Sequence, residues 1–315
     1  MTARDAFLRT PRITEKSVTN EHLNWLEDEA ISILREVFGG FERPAILCSC
    51  GKDSLVVLHL AMKAAAPGKL PLPIVHIDTG HNFPEVITFR ERLVKKRGLN
   101  LIVAHLDDSI NRGTIRLANE LESRNPYQTI TLLETIEANR FDAMVGGARR
   151  DEEKARAKER VFSHRDSFGQ WQPRAQRPEL WNLYNTRIAR GENFRVFPIS
   201  NWTQLDIWNY IARESIELPS IYYTHQRDVI ERNGLLVPVT DITPQRAGET
   251  VVTRHVRFRT VGDISCTCPV ASIASTADEV VLETITAAAS ERGATRMDDR
   301  ANDAAMERRK KEGYF

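Results

Sequence analysis

The strongest constraint on this chain is a repeated alternation. Short apolar runs recur along its first two-thirds, and stretches with helical spacing separate them. The runs are Pro44-Ala45-Ile46-Leu47-Cys48, Pro73-Ile74-Val75-His76-Ile77, Leu101-Ile102-Val103-Ala104, Ala143-Met144-Val145 and Arg195-Val196-Phe197-Pro198-Ile199. A strand without polar alternation is buried on both faces, which is how strands of a helix-covered parallel sheet read. Over residues 19–38, Leu23, Leu26, Ala30, Ile33, Leu34 and Val37 recur at spacings of three and four and predict an amphipathic helix. Asn20 is its expected cap and Gly39-Gly40 its stop. Further helices are expected at 55–62, at 84–97 with Pro84 in the first turn, and at 129–139. The fold class is therefore α/β, an open and mostly parallel sheet with helices on both faces.

The pattern changes near residue 200. A helix is expected at 203–213, with Leu205, Ile207, Trp208 and Ile211 as its apolar set. Turn residues follow (Pro219, Gly234, Pro238, Pro244, Gly248 and Gly262), then a helical stretch at 277–291 and a charged segment at 292–315. Two domains are expected, 1–200 and 201–315, and 315 residues are enough to bury a core without metals or disulfides.

Lys plus Arg number 44 against 43 Asp plus Glu, a net charge of +1, so composition gives no reason to expect nucleic acid as a partner. Any anion site must be a local cluster of cations. No run approaches the roughly 18 apolar residues of a membrane span, and residues 1–17 show no secretory pattern. Four cysteines do not make a disulfide framework at this length, which points to reducing cytoplasm. They fall in two C-x-C pairs, Cys48/Cys50 and Cys266/Cys268. Structural zinc usually takes C-x₂₋₄-C spacing, so the pairs are a weak metal signal.

Three blocks carry candidate chemistry. The first is Ser49-Cys50-Gly51-Lys52-Asp53-Ser54, between a buried strand and a helix. Such a loop aims backbone N–H groups and the positive helix end at one point, where Ser49, Gly51, Lys52 and Ser54 suit phosphate. Asp53 is the odd member, since a carboxylate repels phosphate unless it holds a cation or orients the loop. The spacing is not that of Walker A. The second block runs from Phe141 to Arg160: a strand, Gly146-Gly147, then cations at the carboxyl edge of the sheet, where ligands of open α/β folds bind. If the segment is helical, Arg150, Lys154 and Lys158 share one face, and an anion would relieve their repulsion. Glu152 with Arg156 and Asp151 with Lys154 are the competing ion pairs. The third block is Asp78-Thr79-Gly80-His81-Asn82-Phe83. Asp78 is a candidate ligand for Mg²⁺ brought with phosphates, Thr79 a candidate neighbour of adenine or ribose, and His81 a hydrogen-bond donor to a phosphoryl group or a structural residue.

The first block resembles the pyrophosphate loop of the adenine nucleotide alpha hydrolase-like superfamily, Ser-Gly-Gly-x-Asp-Ser, with Cys50 at the first glycine. The chain as a whole resembles the family of small, adenylylating subunits of bacterial sulfate adenylyltransferase. The resemblance runs through Leu58-His59-Leu60-Ala61, His76 to Gly80, Gly146 to Arg160, Gln176-Arg177-Pro178-Glu179-Leu180-Trp181, Val196 to Thr203, Val256 to Thr260, and Lys310 to Phe315. It implies that ATP and sulfate are converted to adenosine 5′-phosphosulfate and diphosphate, coupled to GTP hydrolysis by a large GTPase partner in a heterodimer. On that reading residues 1–200 bind nucleotide and adenylylate, and 201–315 form an extension that can dock the partner. Lys52 and the loop would hold the departing pyrophosphate. Arg149 and Arg150, with Lys154 behind them, are the candidates for sulfate or the α-phosphate, because a guanidinium fork matches tetrahedral oxyanions.

Three rivals share this reading of the fold. A sulfonucleotide reductase would need a C-terminal Glu-Cys-Gly-x-His motif, and Ser265-Cys266-Thr267-Cys268-Pro269 lacks the Glu and the His. An ATP-dependent adenylating thiolation enzyme would give the C-x-C pairs a chemical role. An inert nucleotide-binding subunit would only regulate a GTPase.

Overall fold

A computed structural model describes residues 15–119, 122–152 and 154–286. Helix α1 (Glu15–Gly40) leads into strand β1 (Pro44–Leu47) and helix α2 (Lys52–Ala65). Then come β2 (Ile74–Asp78), α3 (Pro84–Arg97), β3 (Leu101–His105), α4 (Leu106–Asn111), α5 (Gln128–Asn139), β4 (Ala143–Val145), the single turn α6 (Lys154–Ala157), β5 (Phe162–Arg165) and β6 (Asn193–Val196). The remainder is α7 (Gln204–Glu214), β7 (His225–Arg232), β8 (Leu235–Pro238), β9 (Val252–Arg257), β10 (Val270–Ala271) and α8 (Ala277–Thr286).

The first sheet has the order β3-β2-β1-β4-β6-β5. Every neighbouring pair is parallel except β5 with β6. The five expected strands are all present, and β5 is the addition. Its sequence, Phe-Ser-His-Arg, has no apolar run to announce it. The second sheet, β10-β9-β7-β8, is antiparallel and was not legible as strands. Most of β7 faces water or is half-buried, so its letters read as polar turn material.

Packing explains the helices. The six apolar residues that mark the 19–38 pattern are all buried in α1. The helix starts earlier than periodicity shows, at Glu15, so Asn20 lies inside it and caps nothing. Helix α3 begins with Pro84 and ends at Gly98, whose φ of 61° closes the C-terminus in the left-handed region. Helix α7 is held by a capping box between Thr203 and Asp206. Asp206 also meets His22 Nε2 at 3.1 Å, tying α7 to α1.

The apolar core continues across residue 200. Trp202, Ile207, Trp208, Tyr210, Tyr222 and Phe258 lie in one cluster with α1, α2 and the first sheet. The second sheet has its own small cluster of Ile230, Leu235, Val237 and Cys268, and the segments that flank its strands join the first core. The expected helix at 277–291 is present over its described part, and residues 287–315, including the Lys310 to Phe315 match, lie outside the described residues.

Candidate active site

The site forms where β1 and β4 lie side by side and their following loops diverge, the place at which an open α/β sheet binds ligands. After β1 the chain turns through Ser49, Cys50 and Gly51 into α2. Cys50 takes φ 58°, the left-handed conformation that glycine adopts without cost and other residues hold against about 1–2 kcal/mol. Its thiol is buried in the core, which offsets part of that strain. Gly51 is extended (φ −72°) and serves as the N-cap residue of α2. A Cβ on Gly51 would lie 3.3 Å from Ser49 Oγ and 3.5 Å from Tyr222 Oη.

The first turn of α2 leaves backbone N–H groups without helical partners. The Lys52 N–H donates to Tyr222 Oη at 2.9 Å, so the C-terminal part of the chain reaches back to the loop. Ser54 Oγ donates to Gly51 O at 2.9 Å, and the Gly51 N–H reaches Ser49 Oγ at 3.4 Å. From β4, Gly146 donates to Val196 O at 2.8 Å. Gly147 rests against the α2 turn, where a Cβ would stand 3.0 Å from Asp53 C and Ser54 N.

Lys52 is buried, with Nζ 2.9 Å from Asp53 Oδ2. The other carboxylate oxygen of Asp53 accepts from Arg149 Nε at 2.8 Å. Burial pushes the Asp53 carboxyl up, but the Lys52 and Arg149 charges overcome it and hold it well below the usual carboxylate range. Asp53 thus orients the loop by pairing two cations. Arg149 also meets Asp151 Oδ1 at 2.6 Å and Glu152 Oε1 at 3.9 Å. Asp151 Oδ2 in turn accepts from Gln204 N at 2.9 Å, joining the network to the start of α7.

A cavity of about 190 Å³ opens over this turn. Its lining includes Ser49, Gly51, Lys52, Asp53, Ser54, Gly146 and Gly147, the predicted phosphate-site residues of both loops. The other predicted residues lie elsewhere. Arg149 is buried behind the lining, its guanidinium held by carboxylates, and reaches the cavity through Asp53. Arg150 bonds Asn201 Oδ1, away from the cavity. It precedes α6 in a turn, so Arg150, Lys154 and Lys158 share no helix face; the Lys154 side chain lies outside the described residues.

Asp78 and Thr79 do not line the cavity either. Asp78 Oδ1 accepts from Gly80 N and Asn82 Nδ2, both at 2.9 Å, and Oδ2 faces Arg90 at 3.5 Å. Burial raises the Asp78 carboxyl, and these bonds and charges lower it further than burial raises it. Thr79 Oγ1 accepts from His81 N. His81 faces Asp263 at 3.7 Å, and its carbonyl accepts from Ile264 N. The whole turn is an internal staple. Among the described residues no group of three or more potential metal ligands exists, and Asp78 stands as a single carboxylate occupied by Gly80, Asn82 and Arg90.

Sequence reasoning missed several lining residues: Gln128, Arg156, Tyr222, Thr260 and Val261. Arg156 was visible only as a partner for Glu152, a pair that does form. It nevertheless lines the cavity, as does Glu152. Thr260 ends the Val256 to Thr260 match, so a signal was present without a role. All four cysteines are free and buried, and none lines the cavity.

Fold and cavity define an α/β protein with a cavity over the turn between β1 and α2, at the carboxyl edge of its parallel sheet. Residues 43–269 match the phosphoadenosine phosphosulfate reductase domain family. The chain is 58% identical over 294 residues to sulfate adenylyltransferase subunit 2 of Mycolicibacterium vanbaalenii, covering 93% of this chain and 94% of that one. It is 59% identical over the same length and shares to the Mycobacterium tuberculosis subunit 2. Among solved structures, the FMN adenylyltransferase of Candida glabrata with FMN and an ATP analogue gives a TM-score of 0.49 at 13% identity, covering 94% of this chain and 91% of that one. The phosphoadenylyl-sulfate reductase of Candida auris gives 0.42 at 15% identity, covering 64% and 89%. The chain belongs to the sulfate adenylyltransferase subunit 2 family.

Proposed function

We propose that this chain catalyses adenylyl transfer from ATP to sulfate, releasing diphosphate. The observation that carries the reading is one cavity in which Lys52, Arg156, two glycine-lined loops and the start of α2 converge at the sheet's ligand-binding edge. Sulfate is already ionised at neutral pH and needs no general base. A sulfate oxygen attacks the α-phosphorus, the bond to the bridging oxygen breaks, and that oxygen leaves with the pyrophosphate. The protein's task is then positioning and charge stabilisation.

In this reading Lys52 and the α2 turn bind the departing pyrophosphate. Arg156 takes the place expected of Arg149 and Arg150 at sulfate or the α-phosphate. Arg149 acts from behind, holding Asp53 and so the loop. Magnesium, where required, arrives coordinated by the triphosphate. A large GTPase subunit is the companion that drives an unfavourable equilibrium, and the part of the chain beyond residue 200 contributes to the coupling. No helix among the described residues is long and apolar enough to cross a membrane. Reducing cytoplasm is the setting that suits four free thiols. The thiolation reading gains nothing from the cysteines, which are buried and line no part of the cavity.

The test is sulfate-dependent formation of adenosine 5′-phosphosulfate from ATP, for the chain alone and with its companion and GTP. Lys52→Ala is expected to lower turnover by about 10²-fold or more while the circular dichroism stays that of the folded chain. Near-normal turnover in that variant would remove the loop from the mechanism.

A further inference from the structure

The Gln176 to Trp181 segment plays no part in the site just described. It closes over the outer edge of the first sheet. Gln176 Nε2 donates to Phe162 O at 2.9 Å, and Glu179 accepts from Val161 N at 3.0 Å and Phe162 N at 2.8 Å. Its polar side chains thereby cover an edge strand that would otherwise template unwanted pairing. Tyr184 stacks on Phe162, centroids 4.6 Å apart, and fixes the base of the loop. Phe162 pairs with Val196 and Val196 with Val145, so the loop is anchored on the sheet edge that also bears the phosphate loop.

The apolar side chains of the segment point outward. Leu180, Trp181 and Leu183 are 57%, 85% and 69% exposed. Trp181 and Asn182 are both left-handed, with φ of 54° and 56°; asparagine tolerates that region, but Trp181 holds it at a cost of about 1–2 kcal/mol. A chain that strains its backbone to hold a tryptophan in water has not used it for its own core. The flanking charge is mainly positive: Arg160, Arg174, Arg177 and Arg187 are exposed, and none has an ion pair among the described residues. The acids of this stretch, Asp166 and Glu179, accept from backbone N–H groups. With a whole-chain charge of +1, this patch is a local excess.

We propose that residues 176–187 dock the companion subunit through an apolar socket for Trp181 rimmed by carboxylates. A buried tryptophan with surrounding arginines is the usual make-up of an interface hot spot, and a basic rim selects an acidic partner. The two leucines beside Trp181 favour a protein socket over stacked bases. This inference rests on the companion-subunit reading above.

The test compares full-length wild type with Trp181→Ala/Leu183→Ala and with Arg177→Glu/Arg187→Glu, all at exposed positions. Binding to the purified large subunit of the same organism is measured by calorimetry at low and high salt, with ATP binding by the chain alone as control. The apolar pair is expected to weaken association at least tenfold. The charge reversal should weaken it similarly and flatten its salt dependence, and ATP binding should be unchanged. Wild-type affinity in both variants would overturn the docking face and leave the companion reading standing. No association of the wild type would overturn both. Trp181-dependent binding of a single-stranded oligonucleotide without association to the large subunit would overturn the proposal in favour of nucleic acid.

Discussion

Asp53→Asn tests the charge arrangement of the site most directly. The carboxylate lies 2.9 Å from Lys52 Nζ and 2.8 Å from Arg149 Nε, and both cations are almost wholly buried. Removing one partner from a buried ion pair costs about 3–5 kcal/mol, because the remaining charge is left uncompensated. Arg149 keeps Asp151 and Glu152, so the lower figure, about 3 kcal/mol, applies. With a urea slope near 3 kcal/mol per M, the unfolding midpoint should fall by about 1 M at pH 7. The pH dependence has a definite sign. The folded carboxyl lies below its ordinary 3.8, so its stabilisation is complete above about pH 5 and is lost as pH falls through the folded value. Wild type and variant should therefore converge in acid. Inorganic pyrophosphate should raise the midpoint of the variant more than that of wild type, since an anion in the cavity replaces the missing charge. A midpoint change under 0.3 M at pH 7, worth about 1 kcal/mol on the same slope, would show that Asp53 does not hold the loop together.

The remaining expectations concern the lining. Arg156→Ala should lower kcat/KM by about 10²-fold while Arg150→Ala changes it by less than about threefold; equal losses would restore Arg150 to the site. Gly147→Ala forces a Cβ to 3.0 Å from the α2 backbone, which cannot move as a flexible side chain could. A loss of about 1–3 kcal/mol in stability with weakened ATP binding is expected, and an unchanged thermal midpoint would refute the close approach.

The legible parts of this chain follow the periods of its elements. Ala143-Met144-Val145 read as a strand because burial on both faces removes polar letters, and Leu101 to Ala104 read as one through its apolar run although it is half-buried at the sheet's edge. The charged helix at 84–97 was announced by Pro84 in its first turn, and the structure adds Gly98 as its left-handed close. Strand β7 was hidden because an antiparallel strand with a wet face keeps polar letters, and β5 because its Ser163, His164 and Arg165 are polar side chains buried against Glu159 and Glu192. The same logic holds at the site. Lys52, Gly147 and their neighbours are local to two loops, and local spacing placed them. Arg149 and Arg150 looked equivalent as adjacent letters, yet one turns inward to Asp53 and the other outward to Asn201.

The sequence by itself determined the α/β class, the Ser49 to Ser54 loop between strand and helix and the carboxyl edge on which it stands, since each depends on residues close along the chain. Only the tertiary structure decided which cations reach the cavity, that Tyr222, Thr260 and Val261 close it, and that Trp181 is left outside. Those outcomes depend on long-range packing. Arg149 is claimed by carboxylates from two elements, and Tyr222 reaches Lys52 across 170 positions of chain. No local pattern encodes such meetings. They follow from how the buried surfaces of α2, α7 and the two sheets fit together.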